Sequence, residues 1–231
     1  MIPAEVTLIL LRELLRAFVF PLQILLYLPV RKSWKRRAAK MLAAPSADPD
    51  TAASDLESFL ARRKLGGGRI FISVGETSGE NLALRLMQAV ESSDHHARWS
   101  CFGGSRMREA GAELLYPLTD RPVMGFVGAL RSLPFFVRAV ARFLRMLRDD
   151  PPDLVVLVDY PGLHMVLGQL ARRRGVPVLH YVAPQLWGWA PWRLGRYRKC
   201  VDATLTILPF EPAFFRSVGI HCEYVGHPLL D

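Results

Sequence analysis

The sequence predicts an α/β fold, a parallel sheet with helices on both faces, preceded by a hydrophobic helix. From Arg69 onward, short apolar runs rich in β-branched residues alternate with longer amphipathic segments. The run over residues 153–158, DLVVLV, has the length and composition of a strand that is buried on both faces. Strands that alternate with helices in this way form parallel sheets with right-handed crossovers.

The predicted elements follow one another closely after residue 69. The first strand covers 69–74 and leads through the turn GETSG into a helix with an apolar stripe. Further strands are predicted over 98–102, 113–116, 153–158, 178–182 and 204–208, and another beginning at Tyr224. Helices are predicted from Ser105, over 130–147 and over 165–174.

Composition limits the classes of partner. The chain has 231 residues, 51% of them hydrophobic, which is enough for a substantial core in one or two domains. A net charge of +9 favours an anionic partner, which includes a phosphorylated substrate, a membrane surface or a nucleic acid. No nucleic-acid-binding module is recognisable, so we expect no nucleic acid. The three cysteines lack C-x-x-C spacing, which favours reduced thiols in a cytoplasmic protein.

The first 42 residues are predicted to form a membrane-associating helix. Residues 6–30 are strongly apolar, but Arg12, Glu13 and Arg16 interrupt them, and the uninterrupted part is shorter than the roughly 20 residues of a spanning helix. We expect this helix to lie in or dip into the membrane, with the six basic residues of 31–40 against anionic head groups. The alternative is a helix that packs on a partner protein or on the domain itself.

The remainder divides at residue 68. Residues 43–68 are predicted to form a linker and a short helix, and 69–231 the compact domain. The basic tail of the first segment would leave everything that follows it in the cytoplasm.

Two carboxylates follow predicted strands, where parallel sheets place their sites. Asp159 comes after five apolar residues, and Glu76 comes after the first strand. If the two strands are near neighbours, both acids face one cleft, where a partly desolvated Asp159 can take a proton from a hydroxyl nucleophile. The alternative for Asp159 is a structural role in capping the next helix or fixing its turn. The GETSG turn matches neither the dinucleotide nor the P-loop signature, so it is either an anion site or a packed turn.

Other polar and aromatic residues are less informative. His164 and His180 are expected to be packed or surface histidines rather than catalysts. The loop APQLWGWAPWR combines tryptophans with Arg193, which suits sugar rings, acyl chains or interfacial lipid. A packed lid is the alternative for this loop.

Seven stretches together resemble one family. They are VGETSGEN, FGGSRMREAGAELLY, PVMGFVGALRSLP, PDLVVLVDYPGLH, HYVAPQLWGWAPWR, LTILPFEPAFF and YVGHPLLD, in that order between Ile70 and Asp231. The chain resembles lipid-A-disaccharide synthase over this range. Members of that family are inverting glycosyltransferases of the GT-B fold, built from two Rossmann-like halves. The resemblance implies that residues 69–231 form the Rossmann-like, acceptor-side N-terminal domain.

The resemblance also implies the reaction and the site. The family transfers 2,3-diacylglucosamine from UDP to the 6-hydroxyl of 2,3-diacylglucosamine 1-phosphate (lipid X), with no catalytic metal or cofactor. Asp159 matches the carboxylate proposed as general base. The implied substrate-binding residues are Gly75, Glu76, Ser78, Gly79, Gly104, Met124, Gly125, Pro161, Pro184, Trp187, Trp189 and His227.

The chain departs from the family pattern at a few positions and in length. Glu80 replaces the usual aspartate of the first motif, and Gly162, His164 and Gly128 replace other usual residues. The family would continue beyond Asp231 into a UDP-binding domain, so we expect that half, or a partner chain, to complete the enzyme. An inactive membrane-attached module that binds lipid-linked sugar is the alternative. The family works at the cytoplasmic face of the bacterial inner membrane.

Overall fold

A computed structural model describes residues 4–43, 68–92, 96–120 and 132–227. The predicted linker and short helix fall almost wholly outside these ranges. The motif residues Met124, Gly125 and Gly128 lie outside them as well.

A parallel sheet forms the centre of the molecule. Within the described ranges it has seven strands in the order β3-β2-β1-β4-β5-β6-β7, and every neighbouring pair is parallel. The strands are β1 (Arg69–Val74), β2 (Arg98–Phe102), β3 (Glu113–Tyr116), β4 (Leu154–Val158), β5 (Val178–Tyr181), β6 (Ala203–Thr206) and β7 (His221–Tyr224). The predicted α/β fold with a parallel sheet is confirmed.

Helices connect the strands and cover both faces of the sheet. In the described residues they are α1 (Ala4–Tyr27), α2 (Arg31–Leu42), α3 (Thr77–Ser92), α4 (Ser105–Glu109), α5 (Leu133–Asp149), α6 (Pro161–Arg173), α7 (Leu194–Tyr197) and α8 (Glu211–Ser217). Short 3-10 helices cover Leu28–Val30 and Pro191–Arg193. Helix α6 begins four residues earlier than predicted because Pro161 occupies its first turn, where a missing N–H costs nothing. Strand β7 likewise begins three residues before Tyr224.

The core has two halves, one on each side of the sheet. Alternate residues of β1 point to opposite faces, so Phe71 belongs to one cluster and Ile72 to the other. Phe71 packs edge-on against Phe102, with ring centroids 4.9 Å apart, on the face covered by α5, α6 and α8. Helices α3 and α4 cover the other face, where Met87 and Met107 are buried.

The N-terminal helices pack on the first of these faces. Val6 and Ile9 of α1 are buried in its core cluster, and Glu13 pairs with Arg196 at 2.9 Å. The indole N–H of Trp34, on α2, donates to the backbone carbonyl of Trp187 at 3.1 Å. Packing on the domain, which the sequence left as an alternative, is therefore what the structure shows. None of the described helices is both long enough and apolar enough to cross a bilayer.

Helix α6 approaches the backbone of the following crossover closely at Gly168. A Cβ at this position would lie 2.4 Å from the carbonyl oxygen of Cys200. We predict that Gly168→Ala lowers the free energy of unfolding by about 2 kcal/mol, because the backbone must move apart to admit the methyl group. Urea unfolding of the chain measures this.

The matched control lies in the same helix. A Cβ at Gly162 would meet nothing within 4 Å, so Gly162→Ala should leave stability equal or raise it by up to about 1 kcal/mol. Equal stability of the Gly168→Ala variant and the unchanged chain would contradict the close approach.

Candidate active site

The carboxyl ends of the strands meet at one edge of the sheet. Strand β1 lies between β2 and β4, and Val74 at the end of β1 pairs with Val158 at the end of β4. Glu76 and Asp159 therefore follow directly paired strand ends. The condition for a shared cleft, that the two strands are neighbours, is met.

The GETSG turn lies at this edge of the sheet, directly after β1. Gly75 is buried under the ring of Tyr160, and a Cβ on Gly75 would lie 2.1 Å from Cγ of that ring. Glu76 and Ser78 are exposed at the start of α3. Gly79 is buried, and a Cβ there would make an ordinary contact with Val158. The turn is thus small because Tyr160 crosses it, and its polar side chains remain accessible.

Gly104 brings the turn after β2 against Glu80. A Cβ at Gly104 would lie 2.6 Å from Oε1 of Glu80 and 2.6 Å from Oγ1 of Thr119. Glu80 is only 4% exposed, and its Oε1 has no hydrogen-bond partner among the described residues. A carboxylate oxygen left without a donor in a buried position is costly, and a hydroxyl or amide donor would satisfy it.

The backbone reverses sharply at the end of β4. Asp159 has φ of 49° and Tyr160 has φ of 46°, both in the left-handed region. Each such residue costs about 1–3 kcal/mol unless it is glycine, so the surroundings must hold the conformation in place. The N–H of Asp159 donates to the carbonyl of Tyr181 at 2.9 Å, which ties the start of this kink to β5.

Two buried histidines hold the carbonyl of Asp159. Nδ1 of His164 lies 2.6 Å from this oxygen and Nε2 of His180 lies 2.9 Å from it. Nε2 of His164 lies 2.9 Å from the hydroxyl of Ser73 in β1. The carbonyl of Asp159 thereby uses both lone pairs and is fixed from α6 and from β5.

The hydrogen bonds determine the tautomers of both rings. A carbonyl only accepts, so Nδ1 of His164 and Nε2 of His180 both carry hydrogen. Burial lowers the pKa of His164 to about 3 and that of His180 to about 4, so both rings are neutral near pH 7. The second nitrogen of His164 then accepts from Ser73. Nδ1 of His180 is a bare acceptor with no partner in the described residues.

The Asp159 carboxylate has a raised pKa. Burial is the main cause, the N–H of Tyr160 donates to the carboxylate and opposes the rise, and the negative charge of Glu76 adds to it. The contact with Tyr160 matches a turn-fixing role, but that contact alone would lower the pKa. A half-buried carboxylate with a raised pKa is a stronger base than free aspartate.

The tryptophan loop after β5 is partly packed and partly open. The indole N–H of Trp187 donates to the Glu211 carboxylate at 3.0 Å, and its ring packs edge-on against Phe210. Burial raises the pKa of Glu211. Trp189 is 46% exposed, and the guanidinium of Arg193 lies 5.7 Å from the centroid of its ring. Trp187 thus anchors the loop, and Trp189 is the more exposed of the two tryptophans.

The remaining predicted residues lie at different distances from this edge. Pro161 starts α6 next to Asp159, and Pro184 is buried just after β5. His227 follows β7, three strand positions from β4. With a strand spacing of about 4.8 Å, the end of β7 lies about 14 Å along the sheet from the end of β4. Among the ranges described, no group of three His, Cys, Asp or Glu side chains is arranged to hold a metal ion.

Sequence reasoning missed the residues behind the site. The sequence assigns no role to Ser73 or Tyr160, and it predicts packed or surface histidines at 164 and 180, of which the structure buries both. One signal was present, because a serine inside the apolar run RIFISV must find a hydrogen-bond partner if it is buried.

A family model described as lipid-A-disaccharide synthetase matches residues 70–231. The lipid-A-disaccharide synthase of Trichlorobacter lovleyi is 39% identical over 163 residues, which cover 71% of this chain and 43% of that protein. The enzyme of the same name from Acidobacterium capsulatum is 36% identical over 162 residues, covering 70% and 40%. The one from Gluconobacter oxydans is 36% identical over 185 residues, covering 80% and 43%.

The chain spans about two fifths of the length of these relatives. Among solved structures, the crystal structure of Acinetobacter baumannii MurG matches 62% of this chain and 42% of its own, with a TM-score of 0.42 and 18% identity. Likeness at that level adds nothing to the assignment. The family model and the relatives confirm the resemblance, and the chain belongs to the lipid-A-disaccharide synthase family.

Proposed function

We propose that this chain forms the acceptor-side half of an enzyme that makes the lipid A disaccharide. The reaction transfers 2,3-diacylglucosamine from its UDP-linked donor to 2,3-diacylglucosamine 1-phosphate. The observation that carries the proposal is the desolvated carboxylate of Asp159, fixed at the shared edge of β1 and β4. The family assignment supplies the reaction to which this carboxylate is suited.

In the proposed reaction Asp159 removes the proton from the 6-hydroxyl of the acceptor. The acceptor oxygen attacks the anomeric carbon of the donor as the bond to the UDP oxygen breaks, and UDP leaves with the bonding electron pair. Burial raises the pKa of Asp159, so the carboxylate holds the transferred proton more readily than a solvated aspartate. In this proposal Glu76 and Ser78, which are exposed, contact the acceptor sugar.

The histidine pair supports this role by positioning the base. An aspartate in the left-handed backbone conformation keeps its carboxylate directed at the acceptor hydroxyl only while that conformation is maintained. The imidazoles of His164 and His180 hold the carbonyl of Asp159, and both stay neutral near pH 7. They act through the backbone of Asp159, so we regard them as positioning residues.

We propose further that UDP is bound by sequence corresponding to the rest of the relatives, on the same polypeptide or on a partner chain. The basis is that this chain matches about two fifths of their length. The substrates carry acyl chains, so we place the reaction at the membrane, on the cytoplasmic face of the bacterial inner membrane.

The first test measures UDP release from the donor in the presence of lipid X. Residues 1–231 alone should show no release above spontaneous hydrolysis. Adding the remaining portion of the synthase, encoded in frame downstream or by a neighbouring gene, should give turnover. Robust activity from residues 1–231 alone would overturn the two-part arrangement, and its absence in both cases would overturn the proposed reaction.

The second test replaces the base in the complete enzyme. Asp159→Asn should lower kcat by about 100- to 10,000-fold, the usual contribution of general base catalysis. The free energy of unfolding at pH 7 should stay equal or rise, because burial raises the pKa of Asp159 and so disfavours its charged carboxylate in the folded chain. Glu109→Gln, at an exposed position of α4, is the matched control and should keep full activity. Unchanged turnover of Asp159→Asn would remove this residue as the base.

The third test measures how the histidine pair affects the unfolding free energy of the chain as the pH is lowered. Each ring is neutral when folded and has an ordinary pKa of 6.5 when unfolded, so its stabilisation is present above pH 6.5 and is lost as pH falls towards about 4. His180→Gln keeps a side-chain N–H donor but does not titrate. It should reduce the loss of unfolding free energy between pH 7 and pH 5 by about 2 kcal/mol.

Denaturant unfolding at several pH values measures this loss. His96→Gln, at an exposed position, is the control and should keep the acid sensitivity of the unchanged chain. An unaltered acid sensitivity in His180→Gln would contradict a buried neutral ring.

A further inference from the structure

Helix α1 carries a continuous apolar stripe on the side that faces away from the domain. The stripe recurs every three or four residues, and Phe18 is 84% exposed, Leu15 63% and Leu22 53%. It continues at both ends through Leu8, Leu11, Leu25 and Leu26, each more than half exposed. At 100° per residue, these positions lie opposite Ile9 and Glu13, which contact the domain.

Helix α2, which follows α1 after one short 3-10 helix, adds positive charge. Its six basic residues are all exposed, and the helix contains no acidic residue. They are Arg31, Lys32, Lys35, Arg36, Arg37 and Lys40. The other side of α2 faces the domain, where Ala38 is buried and the Trp34 ring packs edge-on against Phe214. Both N-terminal helices therefore have one side on the domain and one side in solvent.

We propose that the outer sides of α1 and α2 together form a docking surface for an anionic lipid bilayer. An apolar stripe beside a cluster of Lys and Arg fits the boundary between acyl chains and negatively charged head groups. Charge complementarity selects this occupant, because a purely apolar partner would leave six positive charges without a counterpart. The ion pair between Glu13 and Arg196 and the burial of Val6 hold α1 along the domain, so it enters the bilayer boundary lying flat.

The docking surface is joined to the loop at the site edge. The rings of Phe20 and Tyr27 pack against Trp192, with centroids 6.2 and 5.3 Å apart. Trp34 donates its indole N–H to the carbonyl of Trp187. All three contacts reach the loop that leaves the carboxyl end of β5, the edge that also carries Asp159. Binding of α1 to a bilayer therefore restrains how this edge is oriented towards the lipid.

The test is vesicle flotation of residues 1–231 without any sugar nucleotide, so its result does not depend on the reaction proposed above. Phosphatidylcholine vesicles are compared with vesicles that also contain phosphatidylglycerol. The unchanged chain should bind both and bind the anionic vesicles at least about tenfold more strongly, since each Lys or Arg near an anionic surface contributes about 1 kcal/mol.

Two triple variants separate the apolar and charged contributions. Leu15→Ser/Phe18→Ser/Leu22→Ser should lose about tenfold or more in binding to both kinds of vesicle. Lys32→Gln/Arg36→Gln/Lys40→Gln should lose only the preference for anionic vesicles. The control, Arg85→Gln/Arg106→Gln/Arg108→Gln, removes three charges from α3 and α4 on the opposite face of the sheet and should bind like the unchanged chain.

Three results would overturn the proposal. The first is absence of flotation with anionic vesicles, and the second is equal flotation by all variants. The third is a concentration-dependent dimer in sedimentation that the serine variant abolishes, because a second copy would then cover the stripe. The substituted side chains are exposed, so the thermal unfolding midpoint should stay unchanged and exclude misfolding as the cause.

Discussion

The site depends on one peptide carbonyl, that of Asp159. Two imidazoles from different elements, α6 and β5, donate to it, and because a carbonyl oxygen only accepts, each neutral ring must carry its hydrogen on the nitrogen that faces this oxygen. Two consecutive left-handed residues are unfavourable by a few kcal/mol, and these hydrogen bonds, made in a buried place, offset that cost. The carboxylate side chain is thus positioned by its backbone, and the N–H of Tyr160 donates to it.

The left-handed backbone at Asp159 and Tyr160 also explains why the GETSG turn begins with a glycine. Because the backbone of Tyr160 is in the left-handed conformation, its ring lies across the end of β1. Only a residue without a Cβ fits under this ring. Gly75 is therefore required by packing, while the neighbouring Glu76 and Ser78 stay exposed. Packing, one of the two roles that the sequence posed for this turn, belongs to Gly75, and the proposed ligand contact is assigned to Glu76 and Ser78. Glu76 also acts electrostatically, since its charge contributes to the raised pKa of Asp159.

The fold could be predicted from sequence more fully than the site. Buried parallel strands appear as continuous apolar runs, so DLVVLV and RIFISV are visible without any tertiary information. The contacts of His164 and His180 depend on β4 lying between β1 and β5, and sequence order does not give that arrangement. The same holds for Trp187, whose hydrogen bond to Glu211 joins residues that lie 24 positions apart in the sequence.

The N-terminal helices show a limit of pattern analysis. A segment as apolar as 6–30 cannot reveal what covers each side, because both sides are hydrophobic. The sequence poses lying on a membrane and packing on the domain as alternatives. In the structure, the side of α1 that carries Val6 packs on the domain, and the side that carries Phe18 is exposed to solvent. Large contiguous apolar surfaces are rare on soluble proteins unless something binds them. The family match begins at residue 70, so these helices lie outside it, but their contacts with Trp187, Trp192 and Arg196 join them to the family domain at its site edge.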